Sequence, residues 1–130
     1  MKKIVFFLLM AFSCSVWAEW KFIEQGTSSK HSFFIDPMTI KKEGNKRKVW
    51  ELKNLFQMGK MGEMSTRSRI EYDCKEEQYR FIQISYFPEK FATGSVLLVH
   101  NYQINIPGGE WSQIAPETVD EALFKFVCAN

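Results

Sequence analysis

Two histidines, His31 and His100, are the chain's general-base candidates near neutral pH, and neither stands in a nucleophile-base arrangement. His31 begins one apolar-polar run and His100 sits inside another, so both read as structural strand residues. No Gly-x-Ser-x-Gly elbow is present. Pro107-Gly108-Gly109 lacks the glycine spacing and the following helix of a phosphate loop. Glu76-Glu77 falls at a turn and Asp73 on the polar side of a strand, which reads as solvated charge instead of a glycosidase acid pair. Two histidines and no Cys-x-x-Cys argue against a metal site or a redox pair. The residue types therefore point away from an enzyme, and no metal or cofactor is expected.

Basic side chains are the better candidates for recognition. Lys41-Lys42-Glu43-Gly44-Asn45-Lys46-Arg47-Lys48 places five cations around a hairpin tip. Arg67 and Arg69 share a strand face, with Lys60, Lys75 and Arg80 nearby. Such patches can attract a sulfated glycan, an acidic protein or anionic lipid. The plainer readings are a solvated tip and cross-strand pairing with Glu71 and Asp73. Lys2 and Lys3 belong to an N-terminal signal, and without them 15 basic residues face 15 acidic ones. Net charge near zero argues against a nucleic-acid binder, so any anion recognition must be local.

The signal itself reads from Lys2-Lys3 through the apolar run Ile4–Phe12 to Ser13-Cys14-Ser15-Val16-Trp17-Ala18, with Val16 and Ala18 at the positions that must be small. The apolar run is too short to span a bilayer, and no transmembrane helix is expected in the mature chain. Cleavage after Ala18 makes residues 1–18 a signal peptide and 19–130 one exported domain, in the periplasm or at the outer-membrane surface. The alternative is a lipoprotein box at Ala11-Phe12-Ser13, with Cys14 lipidated. Cys74 and Cys128 then remain. In an oxidising compartment they most simply form one disulfide, the rival being a redox or metal pair.

The elements that position these residues are mostly strands. Trp20–Gln25 and His31–Ile35 read as an opening hairpin around Gly26-Thr27-Ser28-Ser29, stopped by Asp36-Pro37. Met38–Lys42 is a third strand, and Glu43-Gly44-Asn45 turns into a longer one, Lys46–Phe56. In that strand Trp50, Leu52 and Phe56 fall on one face and Glu51 and Lys53 on the other. Glu63–Glu76 alternates, with Met64, Ile70, Tyr72 and Cys74 at one parity and Arg67, Arg69, Glu71, Asp73 and Lys75 at the other. Tyr79–Phe87 should pair with it, and Ser95–Ile106 reads as a further strand. Pro116 then suits a first helical position, with Glu117, Asp120 and Glu121 in the first turns. Val119, Ala122, Leu123, Phe126 and Val127 follow at helical spacing. The expected fold is α+β: a small antiparallel sheet of about six strands, covered by a C-terminal amphipathic helix that carries Cys128 to Cys74.

Ile35-Asp36-Pro37 with Thr39-Ile40, Val49-Trp50-Glu51-Leu52, Ser65, Glu71-Tyr72-Asp73-Cys74, Arg80, Trp111 with Ile114-Ala115-Pro116, and a helix ending Val127-Cys128 occur in a telling order. From Trp20 to Cys128 the chain resembles the surface-adhesin protein E family of Gram-negative bacteria. The resemblance implies a small antiparallel sheet with a C-terminal helix, tied by a Cys74–Cys128 disulfide. It implies an exported, non-catalytic adhesin-like protein that contacts host matrix or serum proteins such as laminin and vitronectin. The family's vitronectin-binding basic segment falls by position on Lys60–Ile84, where Arg67, Arg69, Lys75 and Arg80 lie among Glu71, Asp73, Glu76 and Glu77. Two other readings stand beside this one. One is a periplasmic accessory protein that takes a small ligand or an envelope partner, with a homodimer formed through an exposed strand edge. The last is a small hydrolase.

Overall fold

The structure is a computed structural model describing residues 18–130. The expected signal segment, with Cys14, lies outside the described residues except for Ala18. Six strands run as an antiparallel meander in chain order: β1 (Lys21–Gln25), β2 (Ser32–Glu43), β3 (Lys46–Asn54), β4 (Ser65–Asp73), β5 (Gln78–Phe87) and β6 (Leu98–Asn101). A short β7 (Ser112–Gln113) pairs with Gln78 and Tyr79, so β6 and β7 share the outer edge of β5. The helix α1 (Val119–Ala129) lies across one face of the sheet.

Local chemistry explains each turn. Gly44 takes a φ of 59°, which the β2–β3 hairpin tip requires and glycine accepts without strain. Asp73 Oδ1 accepts the backbone N–H groups of Lys75 and Glu76, closing the β4–β5 turn. Thr118 caps α1 by accepting the Glu121 N–H at 3.3 Å. Pro116 is therefore not the first helical residue. It and Glu117 precede the cap, with Glu117 in the left-handed region.

Pro37 does not stop the second strand as expected. β2 continues through it, because its ladder with β3 is interrupted between Asp36 and Lys41, where a missing N–H costs no bond. Thr39 bridges the gap: its Oγ1 donates to the Asp36 carbonyl at 2.7 Å and accepts the Trp50 N–H at 3.0 Å. The strand expected over Ser95–Ile106 shrinks to Leu98–Asn101. Beyond Tyr102 the chain doubles back, and Gly109 packs so close that a Cβ there would clash with the Gln103 carbonyl oxygen.

The core lies between sheet and helix. Ile35, Val49, Ile70 and Tyr72 face Leu123 and Val127, with Phe33, Phe81 and Phe124 packed around them. Fully burying each large aliphatic or aromatic side chain contributes about 1.5–3 kcal/mol. Cys74 and Cys128 are bonded, with Cα atoms 5.7 Å apart and a separation of 54 positions in sequence. The bond ties the end of α1 to the end of β4. The opposite face is partly roofed by the Lys90–Ala92 turn. Asn54 Oδ1 holds the Phe91 N–H at 2.8 Å, and Ser65 Oγ holds that of Ala92 at 3.0 Å.

Candidate binding sites

Strand register decides which basic side chains meet. Lys41 pairs with Lys48, Lys42 with Arg47, and Lys48 in turn with Glu71, while Trp50 pairs with Arg69. This places the hairpin tip and Arg69 around one cleft of about 450 Å3. Six cations line it (Lys41, Lys42, Lys46, Arg47, Lys48 and Arg69) against two acids, Glu43 and Glu71. Glu71 is already neutralised by Arg80, Nε to Oε1 at 2.8 Å, with both side chains nearly buried. Two patches that look separate along the chain are one surface in the fold. Arg47 is held in it by donating to the carbonyls of Gly44 and Lys46.

The remaining expected residues fall elsewhere. Arg67 is sandwiched by the Trp50 and Phe87 rings at 5.1 and 5.3 Å, and its Nε is buried without a partner. Arg69 lies 5.4 Å from the same Trp50 ring, where burial lowers its pKa. Arg80 is committed to Glu71 and also lies over Trp111, which takes Lys46 as well. Lys75 is exposed at an acid-rimmed hollow with Glu43, Asp73 and Glu76. The face opposite the helix thus carries alternating guanidinium and aromatic groups, which hold the arginines in place by cation–π contact. Trp111 was not among the expected site residues. Its role depends on a loop that returns to β5, and no local pattern announces that.

The helix face holds a second site that strand parity alone does not reveal. Glu51 shares this face with Val49 and Lys53, so the helix covers the side of β3 that carries the acid, not the side with Trp50 and Leu52. Glu51 is 6% exposed, and its Oε1 accepts the Tyr72 hydroxyl at 2.7 Å. Burial raises its pKa to about 8, opposed by the Tyr72 hydrogen bond and reinforced by Asp120. Asp120 is raised by its own burial, partly countered by Tyr79. Both carboxyls border a cavity of about 130 Å3 between the start of α1 and the end of the sheet the helix leaves uncovered. Phe33, Phe81, Ile84 and Tyr86 supply its apolar walls.

The histidines have structural partners. His31 Nδ1 accepts the Phe56 N–H at 3.1 Å, and burial followed by the Lys53 charge lowers its pKa. His100 packs against Tyr102 with ring centroids 4.5 Å apart. Among the described residues no three His, Cys, Asp or Glu side chains gather in a group able to hold a metal ion. No helix among them is long and apolar enough to cross a membrane.

A family model described as surface-adhesin protein E matches residues 20–129. No curated protein is significantly similar to the chain. Among solved structures, a selenomethionine form of Haemophilus influenzae protein E superposes with a TM-score of 0.63 at 14% identity, covering 88% of this chain and 89% of that one. A second crystal form of the same protein gives 0.61 at 15% identity, covering 84% and 87%. Protein E from a non-typeable strain gives 0.54 at 14% identity, covering 84% and 76%. At such identities these structures show a shared fold: the antiparallel meander with one C-terminal helix.

Proposed function

Because the chain belongs to the surface-adhesin protein E family, we propose that it is an exported, non-catalytic binding protein of the bacterial envelope. Its basic cleft contacts a host matrix or serum protein, such as laminin or vitronectin, or an acidic glycan. The gathering of Lys41, Lys42, Lys46, Arg47, Lys48 and Arg69 around one cleft carries this reading. A mature net charge near zero gives no long-range attraction, whereas six cations on one surface attract an acidic partner locally. Exposed charges act over about 8 Å at physiological salt, so the attraction is short-ranged and salt-sensitive. Arg67, Lys75 and Arg80 lie outside the cleft lining, with Arg80 acting as a support through Glu71.

The test is binding of immobilised heparin, laminin and vitronectin by the protein and by a variant with Lys41, Lys42 and Lys48 changed to Glu. Binding that weakens steeply with salt and disappears in the variant supports the proposal. Absent binding, or binding unchanged in the variant, refutes it. Antibody labelling of intact cells then separates surface display from the alternative, a periplasmic accessory protein. That alternative has its own support in the helix-face cavity.

A further inference from the structure

We infer that the cavity between the start of α1 and the uncovered end of the sheet binds a small organic ammonium ion with a ring-sized or short aliphatic body. The site lies on the opposite face of the sheet from Arg69 and does not depend on the adhesin reading.

Size limits the occupant. A volume of about 130 Å3 is close to that of an engineered cavity known to hold benzene, roughly 150 Å3. The walls limit it further. Phe33 from β2, and Phe81, Ile84 and Tyr86 from β5, favour an apolar body, and three of the four are aromatic. Aromatic faces attract ammonium groups and repel anions.

The polar groups set the charge. Glu51 is more than nine-tenths buried and lines the cavity, and only its Oε1 is taken, by Tyr72. Among the described residues no donor reaches Oε2. Asp120 adds a second carboxyl at the same cavity from α1. Lys53 also borders it; burial lowers its pKa, and the Glu63 carboxylate opposes that shift. Tyr72 and Tyr79 are the other titratable groups near the pair, and both are held neutral by burial and by these acids. A buried carboxyl with an open oxygen between aromatic walls lacks a cationic N–H donor. A primary or secondary ammonium supplies both the charge and the hydrogen bond, whereas a quaternary ammonium supplies only the first.

Occupancy by a cation should be linked to ionisation of Glu51. An empty cavity keeps the carboxyl protonated at neutral pH, and an incoming ammonium displaces that proton to solvent. Below the folded-state pKa of about 8, affinity should rise by up to about tenfold per pH unit, with up to one proton released per ligand bound.

The experiment titrates the purified protein with benzylamine, benzyl alcohol and benzoate, following backbone amide NMR signals between pH 6 and 8. Benzylamine should shift the amides of Phe81, Ile84 and Leu123 and bind more tightly as pH rises. Benzyl alcohol should bind more weakly and without pH dependence, and benzoate should not bind. In Glu51→Gln the benzylamine preference should fall at least tenfold and its pH slope vanish, with benzyl alcohol unchanged. Asp120→Asn provides a second variant that leaves the Tyr72–Glu51 bond alone, and it should weaken benzylamine several-fold without affecting benzyl alcohol. Benzoate binding as well as benzylamine, benzylamine binding unchanged in both variants, or no cavity shifts at millimolar ligand would overturn the inference.

Discussion

Replacing Glu51 by Gln should stabilise the protein at alkaline pH and leave it nearly unchanged at pH 5. The acid is buried against Tyr72, and its pKa rises from an ordinary 4.5 to about 8 in the fold. An acid raised on folding keeps its proton in the native state after the unfolded chain has released its own. The unfolded state then binds fewer protons, so stability falls as pH climbs from about 4.5 toward 8 and stays low above that. A rise of about 3.5 pK units at about 1.4 kcal/mol each gives roughly 5 kcal/mol. Relaxation and water entry around a buried charge make that an upper limit. Glutamine keeps the shape and cannot ionise, so the variant escapes the whole loss. Asp120, raised in the same direction, leaves a smaller slope in the variant. Urea denaturation of both proteins at pH 5, 6, 7, 8 and 9 reads the difference directly. The two stability curves should meet near pH 5 and separate by about 2–5 kcal/mol by pH 9. Parallel curves over the whole range would refute the buried, protonated Glu51 on which the calculation stands.

Three further outcomes are expected. Changing Cys74 and Cys128 together to Ala frees a 54-residue separation and should cost about 4 kcal/mol on chain-entropy grounds, measurable by denaturant unfolding. Thr39→Val removes both hydrogen bonds that span the β2 bulge and should cost about 1–3 kcal/mol, with faster exchange of the Trp50 amide. Arg80→Leu leaves Glu71 buried without its partner and should destabilise by about 3–5 kcal/mol, whereas Arg80→Leu with Glu71→Leu should recover most of the loss in the same unfolding assay.

Much of the fold is legible in local patterns. Alternation marks the strands, Gly44-Asn45 marks the hairpin tip, and helical spacing from Val119 to Val127 marks α1 within a residue or two. These signals need only neighbours in sequence, because strand and helix periods are properties of the local backbone. The two cysteines are legible for a different reason: an expected exported domain leaves them one simple pairing, and the helix supplies the reach. Pro37 misleads because a proline's effect depends on whether the partner strand needs its N–H, and the bulge opposite removes that need. Pro116 misleads because Thr118 caps the helix two residues later.

What tertiary structure alone decided is which surfaces these elements share. Lys41–Lys48 and Arg69 are some twenty residues apart in the chain, and the register of β2, β3 and β4 makes them one cleft. Parity alone put Glu51 and Lys53 on a face of their own. It could not say that this was the face α1 would cover, because a strand carries no record of which side its partner helix will choose. Once Val49 sits opposite Ile70, Glu51 must share their side, and the helix that buries Ile70 and Tyr72 buries the acid with them. Burial then changes its chemistry, since a carboxyl removed from water holds its proton. The residue types were present in the sequence from the start, but their protonation and their company are properties of packing.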